Sequence, residues 1–231
     1  MWRNLRRILT KRLQQTFWVY VTYNFFVEGI SDFRLAGPAE RCELMPITFT
    51  NYHRVGEFRD GSLASEYLDK LNRSEIGFFA ELDGKMVGSI WATINSSGRP
   101  SVLRTYVRLM PNEALVHDIV TGEKSRGLGI APFMLSRILV LLLSAYKLPT
   151  IIIDVNVSNT PSLRVMDKLG LRARQKVLCV SVFGKLKLQR VLREYAGTTD
   201  WELTRLVHSS KKQANGSLRK FSAEPESHRN A

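Results

Sequence analysis

Apolar and polar residues follow two rhythms along this chain, one of period two and one near 3.6, and together they divide it into elements. The clearest stretch is IGFFAELDGKMVGSIWATI (76–94), where apolar runs flank Asp83-Gly84, a dipeptide that predicts a β-hairpin. CELMPITF (42–49) reads as an earlier strand, EALVHDIV (113–120) as a later one, and the β-branched TIIIDVNV (150–157) as another. QKVLCVSVFGKLKLQRVL (175–192) predicts a closing hairpin that turns near Gly184-Lys185. Helical patterning covers about 51–73 with a break at Asp60-Gly61, then about 127–146, where RILVLLL implies a largely buried helix. A short helix over 160–170 is stopped by Gly170. RPSVLRTYVRLM (99–110) fits neither rhythm, and the chain has no internal repeat.

This order predicts an α+β fold, with a central, twisted, mixed but mostly antiparallel sheet of about six to seven strands flanked by helices. One parallel βαβ unit is expected within it, formed by 113–120, the helix after it and 150–157. The LAGPAE breaker at 35–40 divides an N-terminal extension (1–38) from a domain at 39–195, and the polar stretch 196–231 reads as a disordered tail.

Charge changes the picture of the extension. MWRNLRRILTKRLQQ carries Arg3, Arg6, Arg7, Lys11 and Arg12, with Trp2, Leu5, Leu9 and Leu13 at helical spacing. Such a basic amphipathic helix suits an anionic membrane surface, contacted through residues 1–20, and equally suits docking by its apolar stripe onto the domain. The uncharged FWVYVTYNFFV (17–27) is too short to span a bilayer, which takes about 20 residues. With the basic run before it, the segment has the outline of a signal peptide, but it is rich in Tyr and Thr and no small-residue cleavage site follows. A cytoplasmic protein is expected, with peripheral attachment to the inner face of the plasma membrane left open. The formal net charge of +13 over 231 residues favours acidic partners. Nucleic acid is not expected among them, because the basic residues lack interleaved aromatic platforms or a recognition helix. Cys42 and Cys179 give neither a disulfide framework nor a metal-ligand spacing.

The chemistry centres on EKSRGLGIAPFML (123–135), where a strand leads through two glycines into the buried helix. Helix-start N–H groups have no internal partner and carry partial positive charge, and glycines let backbone approach an anion closely. Lys124 and Arg126 add full charges, so the loop reads as a diphosphate cradle, with Pro132 suited to the first helical turn. A P-loop would need Gly-Lys-Ser/Thr where this chain has Gly129-Ile130-Ala131, and a dinucleotide fingerprint would end on Pro132.

SRGLGIA resembles the Arg/Gln-x-x-Gly-x-Gly/Ala signature of the GCN5-related N-acetyltransferases (GNAT), through Arg126, Gly129 and Ala131. NTPSLRVMDKLGL (159–171) is similar to that superfamily's Asn-x-x-Ser/Ala…Lys-x-Gly-Phe segment through Asn159, Ser162, Lys168 and Gly170, with Leu171 in place of the aromatic. The resemblance covers roughly 40–190 and implies acetyl-CoA as cosubstrate, no metal, and the coenzyme site on the βαβ unit. It implies that Ile119, Val120 and Thr121 pair with the pantetheine arm, that Lys124, Ser125, Arg126, Gly127, Leu128, Gly129, Ile130 and Ala131 hold the diphosphate, and that Asn159 and Ser162 face the coenzyme. An N–H near Ile119 or Val120 would stabilise the tetrahedral oxyanion formed when a neutral amine attacks the thioester.

The amine must first lose a proton, and Glu113, His117 and Asp118 are the candidate bases. Alternation places Glu113 and His117 on one strand face and Asp118 on the other. Many members carry a Tyr that protonates the leaving thiolate; here the position is Met166, although a thiol ionising near pH ~8.5 leaves tolerably unaided. The basic leader and GKLKLQRVLR resemble bacterial members linked to surface-polysaccharide assembly, which implies an amino sugar on a nucleotide or lipid diphosphate as acceptor. Protein amino groups remain open, as does a non-catalytic CoA-binding or membrane-adaptor module; a polyamine is disfavoured by like charge. Oligomeric state is left open.

Overall fold

The computed structural model describes residues 17–37, 42–102, 107–182 and 186–195. Its described elements are β1 (Phe17–Val27), β2 (Cys42–Pro46), α1 (Ala64–Asn72), β3 (Ile76–Leu82), β4 (Lys85–Ile94), β5 (Ser101–Val102), β6 (Arg108–Leu109), β7 (Glu113–Thr121), α2 (Ile130–Ser144), β8 (Thr150–Asn156), α3 (Thr160–Lys168), β9 (Ala173–Val182) and β10 (Leu186–Glu194). Eight of these strands form one sheet in the order β10-β9-β1-β8-β7-β4-β3-β2, while β5 and β6 pair separately. Among the described strands only β7 and β8 run parallel, so the fold is α+β with a mostly antiparallel sheet and one βαβ unit.

The sheet has one strand more than the upper expectation, and the addition is β1. The expected boundary at 38 therefore cuts through a continuous sheet: β1 lies between β8 and β9, with Phe25 opposite Ile153 and Tyr20 opposite Cys179. Tyr23, Phe25 and Val27 are buried in the main core, and Thr22 and Asn24 are buried on the other face. The Tyr- and Thr-rich composition of 17–27 is thus that of a strand, exposed at Trp18 and Val19 and buried on both faces over 22–25. The basic run 1–16, the tail 196–231 and the turn at Gly184-Lys185 lie outside the described residues.

Other expected elements match closely. Asp83 (φ 50°) and Gly84 (φ 78°) make the tight turn between β3 and β4. The break at Asp60-Gly61 is a cap, with the Asp60 carboxylate accepting from Ser62 N at 3.0 Å just before a 3-10 turn and α1. The sheet is packed on both faces. On one side α2 contributes Met134, Leu135, Ile138 and Leu142 to a core shared with Ile151 and Ile153 of β8. On the other, Tyr67 of α1 packs with Phe79, Met86 and Trp91.

Trp91 is fully buried, and its ring occupies the space a side chain at Gly77 would need, since a Cβ there would lie 2.7 Å from it. The ring cannot give way without disturbing Tyr67, against which it packs edge-on at 5.2 Å. Gly77→Ala is accordingly expected to destabilise the domain by about 1–3 kcal/mol through overpacking, read as a lower midpoint of urea unfolding at unchanged slope.

Two irregularities shape the functional end of the sheet. The β7–β8 ladder runs only from Glu113 opposite Thr150 to Val116 opposite Ile153. Beyond it β7 stays with β4 as far as Thr121 opposite Gly88, while β8 stays with β1 as far as Asn156 opposite Thr22, so a V opens between them. Inside the V, β7 bulges: Trp91 opposes His117 and Ser89 opposes Val120, which leaves two β7 residues against Ile90. Asp118 takes a left-handed conformation there, with φ 48°.

Candidate active site

The loop from β7 to α2 leaves a row of amides without internal partners. A 3-10 turn over Glu123–Ser125 uses Ser125 N and Arg126 N, which donate to Gly122 O and Glu123 O, and α2 begins its ladder with Phe133 N on Gly129 O. Among the described residues no backbone acceptor takes the N–H groups of Gly127, Leu128, Gly129, Ile130 or Ala131. Gly127 (φ 87°) and Gly129 (φ 79°) supply the left-handed backbone of this turn, and Gly129 is the residue from which α2 springs. A Cβ added at either glycine would meet nothing within 4 Å, because both face open space.

That space is a cleft of about 660 Å³ between the end of β7, the loop, the first turn of α2 and α3. Of the residues expected to hold a coenzyme, Ile119, Val120, Thr121, Ser125, Arg126, Gly127, Gly129, Ile130, Ala131, Asn159 and Ser162 line it. Lys124 and Leu128 do not; Leu128 is exposed at 52% because the alternate residue of a Gly-x-Gly turn points outward. Pro132, Pro161, Arg164, Val165, Met166 and Lys168 also line the cleft, beyond the residues expected there from sequence. Residues 161, 165 and 168 repeat at helical spacing on α3, so the period of that helix is the signal that points to them. Asn159 also caps α3, its side-chain oxygen accepting from Ser162 N at 3.2 Å.

The three candidate bases separate. Glu113 stands at the closed end of the β7–β8 ladder, opposite Thr150, and its carboxylate accepts from Met110 N at 2.7 Å, so the strand does not bring it to the V. Asp118 is tied into α1: Lys70 Nζ donates to one carboxylate oxygen and Arg59 Nη1 lies 3.4 Å from the other. Burial alone would raise the Asp118 carboxyl, but Lys70 and Arg59 more than offset it and hold it below the usual carboxylate range. Lys70 is itself fully buried, lies 3.4 Å from Glu66, and sits over the rings of Tyr67 (4.8 Å) and Trp91 (5.0 Å). Asp118 is placed as the anchor of the bulge.

His117 is at the apex. Its Nε2 meets Thr93 Oγ1 at 2.9 Å and the buried carboxylate of Glu75 at 3.3 Å, and Glu75 in turn accepts from Arg73 Nε at 2.9 Å. His117 contacts the residue just beyond α1 and Asp118 contacts α1 itself, so both point to the same side of the sheet. The expected alternation between them fails because the bulge inserts an extra residue and resets the faces. Across the V, Asp154 is the first β8 residue past the last rung; burial pushes its carboxyl up, with nearby His117 acting in the opposite direction. Among the described residues no group of three or more His, Cys, Asp or Glu is placed to hold a metal ion, and no helix is long and apolar enough to cross a membrane.

A family model described as the acetyltransferase (GNAT) family matches residues 42–171. The chain is 28% identical over 112 residues to an N-alpha-acetyltransferase of Sulfurisphaera tokodaii, a match covering 46% of this chain and 62% of that protein, and so less than two thirds of the relative. Two solved structures share the fold. A GNAT-family acetyltransferase from Colwellia psychrerythraea is 14% identical with a TM-score of 0.50, covering 74% of this chain and 60% of its own. A tandem GNAT protein from the clavulanic acid biosynthesis pathway is 12% identical with a TM-score of 0.51, covering 73% of this chain and 55% of its own.

Proposed function

This chain belongs to the acetyltransferase (GNAT) family, whose members use acetyl-CoA as cosubstrate, and on that premise we propose that it transfers an acetyl group from acetyl-CoA to a primary amine by direct attack. One observation carries the reading: among the described residues the N–H groups of Gly127 to Ala131 lack backbone partners, and they border a cleft into which two glycines project no side chain. A diphosphate supplies the acceptors those groups need, with Arg126 at the rim. Beyond Val116 the edge of β7 that faced β8 has lost its ladder, so its alternate amides and carbonyls are open to a pantetheine arm laid along it as an added strand. The thioester then lies at the apex of the V, beside a backbone N–H near Ile119 or Val120 that stabilises the oxyanion.

The amine arrives from the face that carries His117. Its nitrogen bonds to the carbonyl carbon, the C–S bond breaks, and the thiolate takes its proton from solvent, since Met166 on α3 offers none. The acceptor class in this reading is an amino sugar on an anionic carrier, drawn by the net charge of +13 and by membrane attachment through the basic leader. A peptide α-amine is the second reading, favoured by the relative named an N-alpha-acetyltransferase.

The test is free-thiol release from acetyl-CoA with nucleotide-linked amino sugars and with peptides bearing a free N-terminus, beside calorimetric binding of acetyl-CoA. Acceptor-dependent release is expected and identifies the class. Binding without release from any amine would turn the reading to a binding module, and absence of binding would refute the assignment of the cleft.

A further inference from the structure

We propose that Asp154 and His117 form a proton-accepting pair across the apex of the V, with Glu75 as the residue that positions the imidazole. The inference rests on the acetyl transfer proposed above. The last rung of the parallel ladder joins Val116 to Ile153, so His117 and Asp154 are the next residue on each strand, facing each other where the strands part. They share a face: Leu115 and Ile152, two positions back on each strand, pack in one cluster on the side away from α2.

The surroundings of the pair are specific. Around His117 stand Glu75 beyond α1, Thr93 on β4, Asp118 on its own strand and Asp154 on β8. Glu75 and Thr93 both engage Nε2, and among the described residues no hydrogen bond reaches Nδ1. A ring held by one nitrogen presents the other, and the carboxylate at Nε2 favours the proton there, which leaves Nδ1 as the acceptor. Around Asp154 are His117, Cys179 of β9, and Asn24 opposite it on β1. Asp118 is engaged by Lys70 and Arg59, and Glu113 by Met110, which leaves His117 and Asp154 facing each other at the apex, with Glu75 behind the first and Cys179 beside the second.

An acceptor amine enters as R–NH₃⁺. One proton passes to the His117–Asp154 pair and on to solvent, the neutral amine attacks, and the second proton leaves the adduct as the C–S bond breaks. Products are the amide, the free thiol and one released proton, so charge balances.

Two measurements on the full chain test this. In a carboxyl-labelled sample, the Asp154 signal is expected to titrate above the ordinary carboxyl range and to move further up in His117→Gln, which removes the imidazole that acts against the effect of burial. In acetyl transfer, Asp154→Asn is expected to lower kcat by roughly 10²-fold with the KM for acetyl-CoA unchanged, and Glu75→Gln to shift the acidic limb of the pH profile. An Asp154 titration indifferent to His117, or an Asp154→Asn chain with parental kcat, overturns the pair. Failure of the parent to bind acetyl-CoA by calorimetry would instead overturn the cleft reading, and the coupled titration would still decide this one.

Discussion

Gly129→Asp is expected to weaken acetyl-CoA binding by roughly 10²-fold or more while leaving the domain folded. The residue sits at φ 79°, and its missing Cβ faces the cleft with nothing within 4 Å. An aspartate there points a carboxylate at the row of free N–H groups and both occupies and repels the place of a diphosphate. Losing two charge-assisted hydrogen bonds is worth about 3 kcal/mol, or two decades in affinity. The left-handed backbone adds about 1–2 kcal/mol of strain to the folded chain, which lowers the melting temperature without abolishing folding. Gly129→Ala separates the contributions: it carries the same strain and no charge, so its stability loss should be similar and its binding loss much smaller. Parental affinity in Gly129→Asp, measured by calorimetry, would remove the loop from the coenzyme site.

The second large effect falls on stability. Lys70→Ala is expected to destabilise the domain by about 3–5 kcal/mol, because it strands the Asp118 carboxylate and removes the cation packed against Tyr67 and Trp91. Arg59 at 3.4 Å compensates only in part. The pair also gives stability a pH dependence with a definite sign. The folded Asp118 carboxyl is held below its ordinary value of about 3.9, so its contribution is fully present above that value and is lost as pH falls through the lowered one. Asp118→Asn should flatten the acid side of the stability curve measured by denaturant unfolding. A Lys70→Ala chain within about 1 kcal/mol of the parent would mean that the ion pair contributes no more than a surface one.

Local signals are legible in the sequence, and non-local ones are not. Asp83-Gly84, the Asp60 cap, the Gly-x-Gly turn before α2 and the Asn159 cap of α3 each follow from a few neighbouring residues, and each stands where those residues put it. The cleft follows because its walls are two such helix starts joined by one βαβ unit. The apex is harder. Lys70 on an amphipathic helix reads as a solvated charge, and only a bulged strand far along the chain explains its burial. Glu75 follows α1 in a polar run, Asp154 is one polar residue in TIIIDVN, and nothing local to either shows that both stand near His117. Alternation puts Asp118 on the wrong face because it assumes an unbroken ladder. The β1 segment reads as part of the basic leader because its partners, β8 and β9, begin only at Thr150 and Ala173.

The position of β1 also governs how the chain reaches its fold. During synthesis the strand emerges well before either of its partners, so Tyr23, Phe25 and Val27 stay without a ladder until β8 has left the ribosome, and the other edge of β1 stays open until β9 follows. The hairpin of β3 and β4 and the βαβ unit can assemble meanwhile from near neighbours. Closure of the sheet is therefore the slow, long-range step, and a nascent chain stalled before Thr150 holds an unpaired apolar strand exposed to aggregation and to chaperones.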